Sequence, residues 1–356
     1  MATSTSTMKE ALVDKTLTVT IHDSPIPSPG PNQLLIRVVA CGMNPKDWKA
    51  PELVGWPADG KPTNQGDDIA GYVEAMGEGV VGFHKGDKVA AFHQVMTPNG
   101  GYAEFALVWE HTTFHLAEAT SFEEAATVPL AAITSALGLY QHLKLPLPWN
   151  PTTERIPLII YGGATAVGAF AIKLAALSNI HPLIVVAGRG IPYVETLIDR
   201  SKGDTIIDYR EGAAAVQAKL KDAAGNLPIH HAYDAVGEHG SHANIGSAMS
   251  APGQITTMDL NTDYQLPEGI KMDWAVAGAV HSPFGEGKKR RDAEFGAALF
   301  QFMGRGLARG WFSGHPVEVM SGGLGGLQAA LRDLKDGKAS AVKYVVRIAE
   351  TEGLGI

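Results

Sequence analysis

The sequence predicts an α/β protein in which a doubly wound parallel sheet is joined to a β-rich domain, and three observations carry this. First, an apolar run, Leu158-Ile159-Ile160-Tyr161, ends in Gly162-Gly163. It then passes without a charge through Ala164-Thr165-Ala166-Val167-Gly168 into the small-residue start of a helix. Second, strand-type segments downstream alternate with helical ones, and alternation of this kind builds a parallel sheet covered on both faces. Third, the chain upstream consists of short apolar segments punctuated by glycine and proline, as in a compact, irregular β domain.

Taken in order, Thr16-Leu17-Thr18-Val19-Thr20-Ile21 alternates with period two, as a half-buried strand should. A proline-rich turn from Pro25 to Pro31 leads to a second strand at Leu34–Ala40, and short β segments follow at Ile69–Glu74, Lys88–Phe92 and Tyr102–Val108. Ser121-Phe122-Glu123-Glu124 is a capping box, so helices begin there. A longer helix near Leu130–Leu143 runs towards Pro146-Leu147-Pro148 and the glycine turn. Beyond the turn come a helix at Val167–Leu177, a strand at Pro182–Ala187, a helix around Tyr193–Ser201 and a strand at Thr205–Asp208. Ala232–Gly237 and Gly253–Asp259 read as further strands, each preceded by a helix. Val317–Met320, a helix near Leu324–Leu334 and Tyr344–Ile348 read as a return to the first domain. There is no internal repeat.

Composition narrows the function. A length of 356 residues suggests two domains, and 45% hydrophobic with 19% charged residues is ordinary for a soluble globular chain. A net charge of −8 argues against a general role on nucleic acid or anionic membranes. The run Lys288-Lys289-Arg290-Arg291 is a local exception, most simply a solvated helix start. A single cysteine, Cys41, excludes an internal disulfide framework and a four-thiolate zinc lobe. The opening Met1–Thr7 has no apolar core of signal-peptide type, and Lys173 closes the longest uncharged apolar run short of membrane-spanning length. A cytoplasmic protein is the expectation.

The glycine turn suggests the chemistry. A chain turning sharply from strand to helix aims unpaired N–H groups and the positive end of the helix dipole at one point, which suits a pyrophosphate. A dinucleotide there makes hydride transfer the first reaction to test. Gly163-Ala164-Thr165-Ala166-Val167-Gly168 has threonine where a strict Gly-x-Gly-x-x-Gly has its middle glycine, so an ordinary buried βα turn is the alternative. In Val186-Ala187-Gly188-Arg189-Gly190 the second strand ends without the acid that would bind ribose hydroxyls. Arg189 stands there instead and can fork onto a phosphate, or else be a solvated loop residue.

Further motifs lie in the β domain: Gly66-Asp67-Asp68-Ile69-Ala70-Gly71, Gly77-Glu78-Gly79-Val80, Gly86-Asp87-Lys88-Val89 and Gly101-Tyr102-Ala103-Glu104-Phe105. With the nucleotide fold and Ile207-Asp208-Tyr209-Arg210, this order resembles the medium-chain dehydrogenase/reductase superfamily over nearly the whole chain. The resemblance implies a GroES-like β-rich catalytic domain at residues 1–129 and 309–356, and a Rossmann domain at 130–308 between them. Where zinc alcohol dehydrogenases of the superfamily use Cys and His, this chain has Asn44 and Asp67. An amide is a poor zinc ligand. His111 and His115 stand four apart, but in a loop-like context that suits a surface role.

Gly42-Met43-Asn44-Pro45-Lys46-Asp47 resembles the zinc-free quinone oxidoreductase branch, and the chain is most similar to the fungal trans-acting enoyl reductases that assist polyketide synthases. That resemblance implies an active-site lysine at Lys49, within Lys46-Asp47-Trp48-Lys49, and an active-site threonine at Thr134, within Pro129-Leu130-Ala131-Ala132-Ile133-Thr134. It implies NADPH held by Lys46, Asp47, Trp48, Lys49, Gly163, Ala164, Thr165, Ala166, Val167, Gly188, Arg189, Tyr193, Tyr209, Val236, Met258, Val342 and Lys343, with Tyr209 at the 2′-phosphate and Tyr193 over the adenine. Thr134, Ala279 and Phe284 would line the acyl pocket. The implied partner is an acyl carrier protein of a polyketide synthase. In enoyl thioester reduction hydride goes to the β-carbon and charge builds on the thioester oxygen, where a donor such as Lys49 or Thr134 would act. Two other readings stay open: a quinone or small-enone reductase, and a chain that keeps the fold for a non-redox step.

Overall fold

The computed structural model describes residues 6–54, 59–223, 225–258, 264–281 and 287–354. The chain divides into two units, Met1–Leu130 with Gly278–Ile356, and Ala131–Ala277.

The first unit opens with β1 (Thr7–Val13), paired antiparallel with β2 (Val19–Pro25). The expected half-buried strand at Thr16–Ile21 is therefore displaced, and its buried partner precedes it. The cause is Asp14, whose carboxylate accepts the N–H groups of Thr16 and Thr18 at 2.7 and 2.9 Å and bends the chain through Leu17, at φ 59°. Met8, Ala11 and Val13 of β1 face the core, and β2 is largely exposed. Next come β3 (Gln33–Gly42), a short α1 (Lys46–Lys49), β4 (Asp68–Met76), β5 (Lys88–Phe92), β6 (Phe105–Trp109) and β7 (Thr113–His115). Ser121 caps α2 (Phe122–Ala125) by accepting Glu124 N–H at 3.1 Å. Then α3 (Pro129–Ala136) runs on as a wider helical turn at Leu137–His142.

The second unit holds β8 (Leu158–Tyr161), α4 (Ala166–Leu177), β9 (Leu183–Ala187), α5 (Ile191–Glu195), β10 (Thr205–Asp208), α6 (Ala213–Ala223), β11 (His231–Asp234), α7 (Ser241–Gly246), β12 (Gly253–Thr257) and β13 (Ile270–Trp274). Its strands lie in the order β10-β9-β8-β11-β12-β13, all parallel. The order reverses between β8 and β11, and the crevice at their carboxyl ends is where such sheets bind ligands. Ile159, Ile184, Ile207, Ala232 and Ile255 form the centre of the core on one face.

The chain returns to the first unit through α8 (Lys288–Arg309), β14 (Val317–Met320), α9 (Leu327–Lys335) and β15 (Lys343–Arg347). The sheet there runs β14-β15-β3-β4-β5-β7, with β6 also on β3. The boundary expected at residue 308 falls instead at 277. α8 belongs to the first unit because its apolar face packs there: Phe300 stacks with Phe114, and Gln301 Nε2 donates to the Thr113 carbonyl at 3.0 Å. Among the described residues no helix is long and apolar enough to cross a membrane.

Candidate active site

In the second unit the strand-to-helix turn is built by contacts that exclude larger side chains. A Cβ on Gly168 would lie 2.2 Å from the Gly162 carbonyl oxygen, and one on Gly163 would lie 2.2 Å from Val185 Cγ1. Gly162 has φ +85°. Thr165, which stands where a strict motif has glycine, is the N-cap of α4. Its Oγ1 accepts Gly168 N–H at 3.0 Å and donates to the Gly162 carbonyl at 2.8 Å. The substitution thus fastens the turn. The N–H groups of Ala166 and Val167, in the first turn of a 12-residue helix, lie where an anion is favoured. Val236 follows β11 and lies against Gly162. Asp234 holds that neighbouring turn by accepting Val236 and Gly237 N–H at 3.0 Å each and Ser241 Oγ at 2.5 Å.

The ends of β9 and β10 adjoin, Asp208 standing opposite Ala187. Gly188 is buried under Tyr209, whose ring would be 2.3 Å from any Cβ there. Arg189 is exposed, Tyr193 is half-buried on α5, and Met258 follows β12. Asp208, at the end of β10, is forked by Arg210 at 2.9 and 2.6 Å, which holds it down to about 2.

The second unit also contains Thr134, 4% exposed on α3, whose carbonyl accepts Tyr233 OH at 2.9 Å. The next residue, Ser135, donates to the Val167 carbonyl at 2.7 Å and so holds α3 against the start of α4. The structure therefore brings Thr134's helix to the glycine turn.

In the first unit the positions aligned with zinc ligands sit in a buried ionic cluster. Asp47, Asp67 and Asp68 are each at most 1% exposed. Lys46 Nζ reaches Asp67 at 2.5 Å, Asp47 at 3.2 Å and the Gln65 carbonyl at 2.6 Å. Burial opposes its charge, but Asp67 and Asp47 hold its pKa above the ordinary lysine value. Asp67 also meets His93 Nδ1 at 2.9 Å, while His93 Nε2 donates to the Pro98 carbonyl at 3.1 Å. Burial works against ionised Asp67, yet Lys46 and His93 bring it below its usual value. Asp47 accepts Tyr102 OH at 2.6 Å and Asn44 N–H at 2.7 Å, and desolvation still lifts it to about 6. Lys343 is ion-paired with Asp68 and donates to Asn44 Oδ1 at 2.9 Å. Removing one member of such a buried pair costs about 3–5 kcal/mol.

Lys46, Asp47, Trp48 and Lys49 share α1, and Lys343 meets Asn44 in the turn before it. The charges of Lys46, Asp47 and Lys343, however, are engaged inside the cluster. The Lys49 ammonium lies 5.5 Å from the centroid of the Trp48 ring. Ala279 lies half-buried in the short helical turn Ala277–His281, within the first unit, whereas Phe284 lies outside the described residues. His111 donates to the Val280 carbonyl at 2.9 Å and His115 reaches Asp87 at 3.1 Å, so the two histidines have separate partners. Among the described residues no group of three or more His, Cys, Asp or Glu could hold a metal ion. Sequence reasoning missed the roles of Asp68, His93 and Tyr102. The available signal was an adjacent acid pair, Asp67-Asp68, leading into the apolar start of β4.

Residues 30–118 match the alcohol dehydrogenase GroES-like domain family. The trans-enoyl reductase fsr4 of Gibberella fujikuroi is 44% identical over 321 residues, covering 89% of this chain and 92% of that protein. The chain belongs to the trans-enoyl reductases of the medium-chain dehydrogenase/reductase superfamily. The trans-enoyl reductase resD of Aspergillus sclerotiorum is 30% identical, with 92% of this chain and 96% of that protein covered. Among solved structures, an alcohol dehydrogenase superfamily protein from Novosphingobium aromaticivorans superimposes with TM-score 0.77 at 22% identity, covering 96% and 99% of the two chains. The quinone oxidoreductase of Coxiella burnetii does so with TM-score 0.73 at 21% identity, covering 96% and 99%. Both share the fold. The family is one of oxidoreductases and implies a nicotinamide cofactor, and the glycine turn fits one: Gly168 comes so close to the Gly162 carbonyl that no side chain could stand there, and the N-terminus of α4 opens at the turn.

Proposed function

We propose that this protein is an NADPH-dependent, zinc-independent enoyl reductase acting in trans on an α,β-unsaturated thioester carried by a polyketide synthase. The observation that carries the reading is the 44% identity with a trans-enoyl reductase over 89% of the chain. The chemistry of the cluster at Asn44 and Asp67 agrees with it. Each holds a lysine ammonium group, a fixed positive charge that opposes a metal cation at the same place.

The bound cofactor would supply hydride to the substrate β-carbon. Ala166 and Val167 N–H would bind its pyrophosphate, and Gly163, Ala164 and Thr165 would shape the approach. Exposed Arg189 beside Tyr209 favours the 2′-phosphate, because the adjoining acid, Asp208, is neutralised by Arg210. Val236 and Met258 would border the cofactor at the strand ends. Lys49 and Thr134 would stabilise the enolate oxygen or supply the proton that the α-carbon takes, with Ala279 and Phe284 bordering the acyl chain.

Lys49→Ala and Thr134→Ala test these roles. Each should lower turnover of an enoyl thioester by about two to three powers of ten at saturating NADPH, the usual worth of a donor to a developing oxyanion. Each should also shift the melting temperature only slightly. Wild-type turnover in both variants would remove the two residues from the mechanism.

A further inference from the structure

One buried carboxylate stands between the segments that the proposed chemistry uses. Asp68 opens β4 and is 0% exposed. Its Oδ1 accepts Leu130 N–H at 2.6 Å, in the first turn of α3, the helix that runs on to Thr134. Its Oδ2 accepts Asn44 Nδ2 at 2.8 Å and is ion-paired with Lys343. Asn44 lies in the turn that begins α1, where its own N–H and carbonyl are tied to Asp47 at 2.7 and 2.9 Å. One side chain therefore clasps the start of α1, the start of α3 and the first residue of β15. A carboxylate at the N-terminus of a helix is well placed electrostatically, and a charged acceptor makes stronger hydrogen bonds than a neutral one.

We propose that Asp68 is a positioning residue for enoyl reduction. Through Asn44 it sets the start of α1, which carries Lys49, and through Leu130 it fixes the first turn of α3. Lys343 supplies a buried partner charge beside it. The proposal rests on the enoyl reductase reading above. Its energetic logic is geometric: displacing a catalytic group by about 1 Å costs on the order of a hundredfold in rate.

The test uses the full-length protein, NADPH and an enoyl N-acetylcysteamine thioester, at a temperature well below each variant's melting point. Asp68→Asn keeps an acceptor for Leu130 N–H but removes the charge. Asn44→Ala keeps the Asp68–Lys343 pair and cuts the hydrogen bonds that join Asp68 and Lys343 to the turn before α1. The expected result is a kcat loss of about a hundredfold for Asp68→Asn and about tenfold or more for Asn44→Ala. The Kd for NADPH should stay within about threefold of wild type, and the primary isotope effect with C4-deuterated NADPH should rise as hydride transfer becomes more limiting. A purely structural role would lower the melting temperature and leave kcat and the isotope effect of the folded enzyme at wild-type values, and that outcome overturns the proposal. If Asp68→Asn does not fold, Asn44→Ala decides alone, and a kcat within threefold of wild type is the overturning result. Lys49→Ala and Thr134→Ala are measured alongside. Wild-type kcat in those two would sink the catalytic reading itself, whereas low kcat in them with normal kcat in the Asp68 and Asn44 variants sinks only the positioning role.

Discussion

At the scale of single residues, neighbouring acids in the buried cluster carry opposite pH signatures. Asp47, lifted by burial to about 6, holds a proton in the folded state that the unfolded chain releases at the ordinary carboxylate value of 3.8. The folded state therefore binds more protons between about pH 4 and pH 6, so Asp47's contribution to stability falls as pH rises through that window. Asp67 is held below 3.8, so its contribution is complete above that pH and is lost only on further acidification. Asp47→Asn retains an acceptor for Tyr102 and Asn44 and should flatten the stability profile between pH 4 and pH 6. Urea unfolding across that range checks this, and an unchanged slope would contradict it. Arg189→Ala should weaken NADPH binding about tenfold to a hundredfold, the worth of a hydrogen bond to a charged group. NADH should stay within about twofold. Calorimetry with both cofactors decides, and equal losses for the two would make Arg189 a surface residue.

At the scale of elements, the β8–α4 turn combines close backbone approach with a side-chain cap, and the two can be separated. Gly168→Ala pushes a methyl group to 2.2 Å from a carbonyl oxygen. It should cost about 1–3 kcal/mol of stability as overpacking does, and NADPH affinity should fall with it. Thr165→Ala removes only the cap, for about 1 kcal/mol, and should leave a cradle that still binds. Thermal melts with and without NADPH distinguish these outcomes. This turn was legible in the sequence because strand, glycine pair and small-residue helix are local signals. So were the later returns, β14, α9 and β15. The start of β2 was not, because the Asx turn at Asp14 competes with the period-two pattern of Thr16–Ile21. The first turn of α3 was legible as helix, but its tether to Asp68 joins residues 62 apart in sequence. Lys343 and Asn44 are 299 apart. Sequence spacing carries no trace of such pairs, so the cluster could be suspected only from acids in an apolar context. The end of the nucleotide-binding unit was misplaced for a related reason. An amphipathic α8 satisfies either unit's sequence pattern, and only tertiary packing of Phe300 and Gln301 assigns it.

At the scale of the whole molecule, a net charge of −8 opposes the approach of an acidic acyl carrier, so any attraction must be local. The run Lys288-Lys289-Arg290-Arg291 at the start of α8 is the sequence's densest basic segment. Reversing all four charges should slow association with a carrier-bound enoyl substrate and reduce its salt dependence, because exposed charges are screened beyond about 8 Å at physiological ionic strength. Turnover of a small free thioester should stay unchanged. Equal effects on both substrates, or on neither, would leave the run as ordinary solvated surface. Hydride transfer from NADPH to an enoyl thioester without a metal can be tested in one experiment. Chelator-treated enzyme of verified metal content is given NADPH with a panel of carrier-linked enoyl thioesters, free enoyl thioesters and quinones, and NADPH consumption is followed with product mass. The expected result is saturated thioester formed one-for-one with NADPH oxidised, a higher kcat/KM for enoyl thioesters than for any quinone, and no gain on adding zinc. Oxidation of NADPH by quinones alone, or activity that returns only with zinc, would contradict it.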